Sequence, residues 1–244
     1  MNVAGNTILI TGGSSGIGLA LATRFLALGN KVIIAGRDQE KLERVRKEHP
    51  EAGIFSGDLS DRHSLEDLVL FIEHEYPDLN ILVNNAAVQF NYPFMEEANL
   101  VNKIDYEISA NLAAPLKLTG LLLPLLAEKK NSAIINVSSG LFIAPKKSAS
   151  VYCATKAAVH SFSKTLRYQL EDIPMKVFEI IPALIDTPMT EGRGKSKMSA
   201  DKLVDEFIRN FRRNRYESYI GKTKLLRLIS RISPVLADRI MKNS

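Results

Sequence analysis

Short runs of apolar, β-branched residues alternate along this chain with longer segments in which apolar positions recur every three or four residues. The short runs are "TILIT" (7–11), "KVIIA" (31–35), "GIFSGD" (53–58), "NILVN" (80–84), "SAIINVSS" (132–139) and "KVFEII" (176–181). Helical patterns follow them: one to about Leu28, then "QEKLERVRKEH", "LEDLVLFIEHEY", a long segment over about 99–129 and another over about 150–172. Strands alternating with helices of ten or more residues predict βαβ units around a parallel sheet. The runs are almost wholly apolar, so both faces of that sheet should be covered, and the crossovers should be right-handed. With no internal repeat and no Pro-, Gly- or Ser-rich linker, the pattern predicts one α/β domain over 1–244, a doubly wound parallel sheet of the Rossmann type. A seventh strand around "ESYI" finds little support in the pattern.

Composition narrows this picture. The chain has 244 residues, 45% hydrophobic and 24% charged, enough for one sizeable core. Its single cysteine, Cys153, allows no internal disulfide and gives no sign of an oxidising compartment. The first apolar run is five residues long and has no basic segment before it, so it reads as a strand and not as a signal peptide. The stretch "LKLTGLLLPLLA" is too short to span a bilayer and is interrupted by Pro124. A cytoplasmic protein without an integral membrane segment is expected. The histidines at 49, 63, 74 and 160 show no metal-ligand spacing, so no metal is expected.

The net charge of +5 is unevenly placed, with ten Lys/Arg against two Asp/Glu from Arg209 onward and −3 on the residues before it. That excludes a uniformly basic nucleic-acid-binding surface and leaves a basic C-terminal segment, 209–244. Within it Leu225, Ile229, Ile232 and Leu236 form one helical stripe, which Pro234 splits in two, and Lys222, Lys224, Arg227 and Arg231 point mainly elsewhere. A basic amphipathic helix can lie on an anionic membrane. It can also bury its leucines against its own domain, over a pocket mouth or at a subunit contact, which is the expected use here.

Candidate chemistry begins at "TGGSSGIG" (11–18), where a strand turns into a helix and glycines stand at 12, 16 and 18. Glycine lets the backbone approach a pyrophosphate, and the helix N-terminus adds free N–H donors and partial positive charge. The spacing is G-x-x-x-G-x-G and not the general G-x-G-x-x-G. About 20 residues on, where an acid would hold a ribose 2′-hydroxyl, the chain reads Ala35, Gly36, Arg37. An arginine there suits a 2′-phosphate, so NADP(H) is expected over NAD(H); a solvated surface charge is the alternative. Asp38 reads as an N-cap.

Tyr152 and Lys156, at i and i+4, share one face of a helix. An ammonium beside a phenol favours the phenolate and should lower a pKa of about 10 by about 1–3 units, towards working pH. Helices often carry such pairs without chemistry, so the surrounding motifs decide. Asn111 lies in a long helix four residues before Pro115, which has no N–H to bond the Asn111 carbonyl. That carbonyl is left free for a water, or the site is only a kink with a solvated polar residue. Cys153 reads as a small buried hydrophobe.

Over about residues 5–190 the chain resembles the single-domain short-chain dehydrogenases/reductases. The resemblance rests on "TGGSSGIG", on Asp58 in "GDLSD", on "NNAA" at 84–87, on Asn111, on "VSSG", on "YCATK" and on "IIPALIDTP". It implies an oxidoreductase that transfers a hydride between a nicotinamide and a carbonyl or alcohol. The implied catalytic set is Asn111, Ser139, Tyr152 and Lys156, with Ser139 chosen over Ser138 by its spacing of 13 from the tyrosine. Tyr152 exchanges the proton, Ser139 holds the substrate oxygen, Lys156 also holds the nicotinamide ribose, and Asn111 joins a water relay. The implied cofactor set adds Gly12, Ser14, Ser15, Gly16, Ile17, Gly18, Arg37, Asp58, Leu59, Asn85, Ala86, Ala87, Ile185 and Thr187 to Tyr152 and Lys156. Gln89, Phe90, Leu141, Phe142, Leu184 and Met189 are expected to line an apolar substrate pocket, and a homodimer or homotetramer is expected to pack through 99–129 and 150–172. Ala87 and Ala183 stand where the family usually has glycine. "CATKAAVHSFSKTLRYQL" is similar to bacterial reductases encoded beside teichoic-acid D-alanylation genes. A nucleotide-binding sensor or scaffold without chemistry, at a membrane surface through its basic end, is the alternative; retention of the tyrosine speaks against it.

Overall fold

The computed structural model describes residues 1–194 and 196–243. Lys195 and Ser244, through which the expected domain and basic segment run, lie outside the described residues. The six expected runs form strands β1 (Thr7–Thr11), β2 (Lys31–Gly36), β3 (Gly53–Ser56), β4 (Ile81–Asn84), β5 (Ser132–Val137) and β6 (Met175–Pro182). Two short strands, β7 (Ile185–Asp186) and β8 (Met198–Ser199), pair with each other, and β9 (Glu217–Ile220) follows. The main sheet has the order β3-β2-β1-β4-β5-β6-β9, parallel throughout. This is the doubly wound Rossmann arrangement, with its switch point between β1 and β4. β9 is the seventh strand, which the sequence hardly signals. It is only four residues long, and it is held by pairing along Glu179–Pro182 of β6.

Helices α1 (Gly16–Ala27), α2 (Gln39–Glu48), α3 (Arg62–Glu75), α4 (Leu100–Ile108), α5 (Ala114–Ala127), α6 (Ser150–Gln169) and α7 (Ala200–Arg212) cover the two faces. The chain then folds into α8 (Thr223–Ile232) and α9 (Pro234–Met241). The long helix expected over 99–129 is α4 and α5 joined by one π-helical turn, Ser109–Ala113, in which Asn111 is buried. Its apolar window has a mean hydropathy of 1.4. Leu118, Leu122 and Leu126 are spent on the sheet, against Leu82 and Ile134, as core helices require.

α7 is an element the sequence reading did not anticipate. Leu203, Val204, Phe207 and Phe211 lie on one side of it, fully or almost fully buried. Phe211 packs edge-on to Phe25 of α1 with ring centroids 6.4 Å apart, and tilted on Phe178 of β6 at 4.7 Å. Burying such rings is a main source of stability in a small domain. Beyond it α8 turns Thr223 and Leu226 inward. The Thr223 hydroxyl donates to the Ile181 carbonyl at 3.0 Å, and Leu226 joins Ala144 and Ala237 in a small separate core. The expected stripe is therefore corrected: of its four residues Ile229 packs inward, whereas Leu225, Ile232 and Leu236 are exposed. The inner face is set by Thr223, Leu226 and Ile229, three residues apart, so the residues between them turn outward.

Candidate active site

The carboxyl ends of β1, β4 and β5 meet at the switch point. Thr11, last in β1, accepts at its hydroxyl from the backbone N–H groups of Asn85 and Ala86, both at 3.0 Å. The Asn85 amide donates to the carbonyls of Thr11 (2.9 Å) and Gly12 (3.2 Å). These bonds hold the glycine turn against the "NNAA" segment. Gly12 and Gly16 have φ of +65° and +54°, which side chains disfavour. A Cβ on Gly18 would stand 2.2 Å from the Gly12 carbonyl oxygen, and one on Gly12 would stand 2.9 Å from the Ala86 Cα. A Cβ on Gly16 would lie 3.1 Å from a methyl of Thr187, so the turn also touches the segment after β6. The strand-turn-helix is a concave backbone cradle opening on the N-terminus of α1, whose N-cap residue Ser15 makes no side-chain cap. It is fit for a dinucleotide pyrophosphate. Ser14 lies beside it, its hydroxyl 3.6 Å from where a Cβ on Gly36 would be.

At the end of β2 the Arg37 guanidinium donates to the Tyr106 hydroxyl, and that hydroxyl donates to Asp58 at 3.0 Å. Asp58 also accepts from the backbone and hydroxyl of Ser60, at 3.0 and 2.8 Å. Burial alone would raise the Asp58 carboxyl; hydrogen bonds from Ser60 and Tyr106 and the charge of Arg37 outweigh it and leave the pKa lowered. Tyr106 was not foreseen from the sequence, because its role depends on α4 meeting the residues just past the ends of β2 and β3. Asp38 caps α2 as expected, accepting from the Lys41 N–H at 3.1 Å.

Tyr152 and Lys156 are both buried, at 8% and 3% exposure. Lys156 Nζ donates to the Val137 carbonyl at 2.9 Å and stands 5.6 Å from the Tyr152 ring centroid. Ser139, two residues past the end of β5, accepts from Leu141 N–H at 3.2 Å. The expected lowering of the Tyr152 pKa is overturned. Burial drives the phenol well above its ordinary value, and the Ser139 hydroxyl, within hydrogen-bonding reach, opposes it only in part. Burial likewise pulls Lys156 down to about 8, against the charge of Glu179, which holds it up. In this dry setting desolvation exceeds the ammonium–phenol attraction on which the expectation rested. The phenol is thus a neutral acid at physiological pH.

Asn111 sits at the π-turn and its side chain clamps Val88: Oδ1 accepts from Val88 N–H and Nδ2 donates to Val88 O, both at 2.8 Å. One turn earlier Glu107, wholly buried, accepts from the Phe90 N–H at 3.2 Å. The two side chains pin the segment carrying Gln89 and Phe90. Leu141 and Phe142 line an open groove of about 610 Å³ that includes Lys146 and Lys147 but neither Tyr152 nor Lys156. Leu184 is 42% exposed, beside Gly194, and Met189 lies in the short turn Pro188–Thr190. Ile185 is held in β7, and Thr187 caps that turn.

A second buried cluster lies behind the site. Ser138 Oγ donates to Glu179 Oε1 at 2.5 Å, and His160 Nδ1 lies 2.9 Å from Glu179 Oε2. The His160 ring stacks on Phe142 with centroids 3.9 Å apart. An acid within the apolar run "KVFEII" was the visible signal for Glu179; its partners come from β5 and α6 and are not adjacent in sequence. Cys153 is a free, buried thiol whose pKa burial pushes up, so it behaves as a small hydrophobe. Among the described residues no group of three or more His, Cys, Asp or Glu could hold a metal.

Residues 6–198 match the family described as short chain dehydrogenase. The chain is 40% identical over 223 residues, 89% of it and 88% of the relative, to the uncharacterized oxidoreductase DltE of Bacillus subtilis (strain 168). A short chain dehydrogenase of Burkholderia cenocepacia J2315, solved in complex with NADP, superposes with a TM-score of 0.88 over 100% of both chains at 22% identity. A short-chain dehydrogenase of Sphingobium yanoikuyae in complex with NADPH superposes at 0.81 over 96% of both chains at 26% identity.

Proposed function

Since this chain belongs to the short chain dehydrogenase family, whose members are oxidoreductases of CH–OH and C=O groups, we propose that it reduces a carbonyl compound with NADPH, or runs the reverse oxidation. The observation that carries the reading is the buried pair of Tyr152 and Lys156 next to Ser139, at the carboxyl edge of the sheet and beside the glycine cradle. The nicotinamide, when bound, supplies or accepts the hydride. Gly12, Ser14, Ser15, Gly16, Ile17 and Gly18 would hold its pyrophosphate; Asp58, Leu59, Asn85, Ala86 and Ala87 would wall the adenosine and ribose side; Ile185 and Thr187 would close over it. Ser139 orients the substrate oxygen. Tyr152, kept protonated by burial, delivers its proton from Oη to that oxygen in reduction. Lys156 would hold the nicotinamide ribose, and a water on the backbone carbonyl of Asn111 would relay a proton through Lys156 back to the Tyr152 phenolate.

NADP(H) over NAD(H) rests on Arg37, with no acid at the end of β2, and on the NADPH complex of the Sphingobium relative. The substrate is apolar, the setting cytoplasmic, and the assembly a homodimer or homotetramer. A groove of about 430 Å³ between α4 and α6, lined by Phe94, Ile104, Ile108, Leu112 and Val151, favours self-association through these helices.

The test is a panel of ketones, aldehydes and alcohols followed by the absorbance of reduced nicotinamide. Tyr152→Phe is expected to lose turnover by about 10²–10⁴-fold and to keep NADPH binding, read by cofactor fluorescence. A phenylalanine variant with near-normal turnover would require another acid. Gly36→Asp combined with Arg37→Ala should move preference from NADP(H) to NAD(H). Equal affinity of the natural chain for both cofactors would remove Arg37 from the site.

A further inference from the structure

Among the described residues, nothing covers the outward face of the C-terminal helices. Leu225, Leu228 and Ile232 of α8 are 60%, 56% and 78% exposed, and Val235, Leu236 and Ile240 of α9 are 69%, 46% and 49% exposed. Positions 225, 228 and 232 fall on one face of α8. Scattered exposed apolar residues need no explanation; six large aliphatic side chains within 16 residues of a two-helix hairpin do. Around them lie six cations, Lys222, Lys224, Arg227, Arg231, Arg239 and Lys242, and one acid, Asp238. Residues 222–242 therefore carry +5, the net charge of the whole chain, and the rest of the protein is neutral overall.

Two of these cations are engaged by the protein. Lys224 pairs with Glu206 at 2.5 Å, and Arg227 lies over the Tyr219 ring and near Glu217. Among the described residues no ion pair engages Lys222, Arg231, Arg239 or Lys242, and all four are exposed.

We propose that the outer face of α8 and α9 docks on an anionic lipid bilayer, with the six aliphatic side chains at the acyl boundary and the free cations against the headgroups. Charge decides between the occupants. A second copy placed on this face by two-fold symmetry would set a net +5 against a net +5, a like-charge contact that disfavours association. An anionic bilayer meets both features together: apolar depth for the leucines and isoleucines, and negative potential for the lysines and arginines. The inner face keeps the hairpin on the protein while the outer face is free. A methyl of Thr223 stands 2.4 Å from where a Cβ on Gly140 would be, and Leu226 packs on Ala144. Docking therefore sets the segment after Ser139 close to the bilayer surface.

The proposal is independent of catalysis and is tested by co-sedimentation of the full chain with vesicles of phosphatidylcholine alone or with phosphatidylglycerol added. Binding is expected only to the anionic vesicles. It should weaken as salt rises from 0.1 to 1 M, where the screening length falls from about 10 to about 3 Å. Ile232→Asp and Leu228→Asp, both at exposed positions, should each cut the partition coefficient by about tenfold or more, and Arg231→Glu should do the same without touching the apolar face. Circular dichroism and the melting temperature of each variant should match the natural chain. No binding to anionic vesicles, equal binding to neutral ones, or unchanged binding by all three variants would overturn the proposal. So would a dimer in sedimentation equilibrium that Ile232→Asp dissociates, because the face would then belong to a second copy.

Discussion

Lys156 and Tyr152 show how far a residue's chemistry departs from its spacing. Their shared helix face was legible at i and i+4, but the direction in which the phenol is shifted depends on burial, which sequence spacing does not report. Lys156 titrates at about 8 in the fold against 10.5 when exposed. Between those values the unfolded chain holds a proton that the folded chain has released, so stability rises with pH across the window, and the full penalty is present below about 8. At ~1.4 kcal/mol per unit this amounts to a few kcal/mol. Urea midpoints for the natural chain and Lys156→Met at pH 7, 8.5 and 10 should therefore converge in one direction: any advantage of the methionine variant at pH 7 shrinks as pH rises. Parallel profiles would show that Lys156 is not desolvated. Glycine effects are as local. Gly18→Ala places its Cβ 2.2 Å from the Gly12 carbonyl oxygen, and overpacking of that kind costs about 1–3 kcal/mol. Isothermal titration should show NADPH affinity reduced at least tenfold, because the cradle must open to admit the methyl.

At the scale of elements, the six long-range strand assignments rest on dense apolar runs, and such runs end up covered on both sides whatever else the chain does. α7 and β9 were harder to read for opposite reasons. The periodicity of α7, with Leu203, Val204, Phe207 and Phe211, was present in the sequence but stands between charged residues, flanked only by the short strands β8 and β9, which no dense apolar run marks. β9 is a strand because β6 offers it a free edge: Ser218 and Ile220 are buried there, and Glu217 finds Arg167 of α6 at 3.4 Å. Phe211→Ala should cost about 3–5 kcal/mol, read as a lower urea midpoint, since that ring touches α1, β6 and the rest of α7. The break in the long helix, α4 to α5, was signalled by Asn111 and Pro115; that it is a π-turn which lets Asn111 clamp Val88 depended on the loop after β4.

For the whole molecule, the distribution of charge and apolar surface is what distinguishes one side of the protein from another. The inner and outer faces of the C-terminal hairpin should respond differently to the same kind of change. Leu226→Ala, at 8% exposure, should cost about 2–4 kcal/mol, and Ile232→Ala, at 78%, should stay within about 0.5 kcal/mol of the natural chain. Differential scanning fluorimetry distinguishes the two. Equal losses would mean that the outer face is covered by another part of the assembly.

The alternation of apolar runs with helical periods determined the doubly wound sheet, because a parallel sheet buried on both faces and fed by crossover helices is the arrangement that covers such runs. The glycine turn, Ser139, Tyr152 and Lys156 were legible for a related reason: each depends on residues near it in the chain, at spacings set by a strand end or one helical turn. What the tertiary structure decided involves partners from separate elements. Glu179 on β6 meets Ser138 from β5 and His160 from α6; Tyr106 from α4 joins Arg37 to Asp58; and the hairpin turns Leu226 inward and Ile232 outward according to what Gly140 and Ala144 leave open. Desolvation belongs to the same class, since it is a property of everything packed around a group. It turned the tyrosine from an expected near-neutral acid into one held firmly protonated.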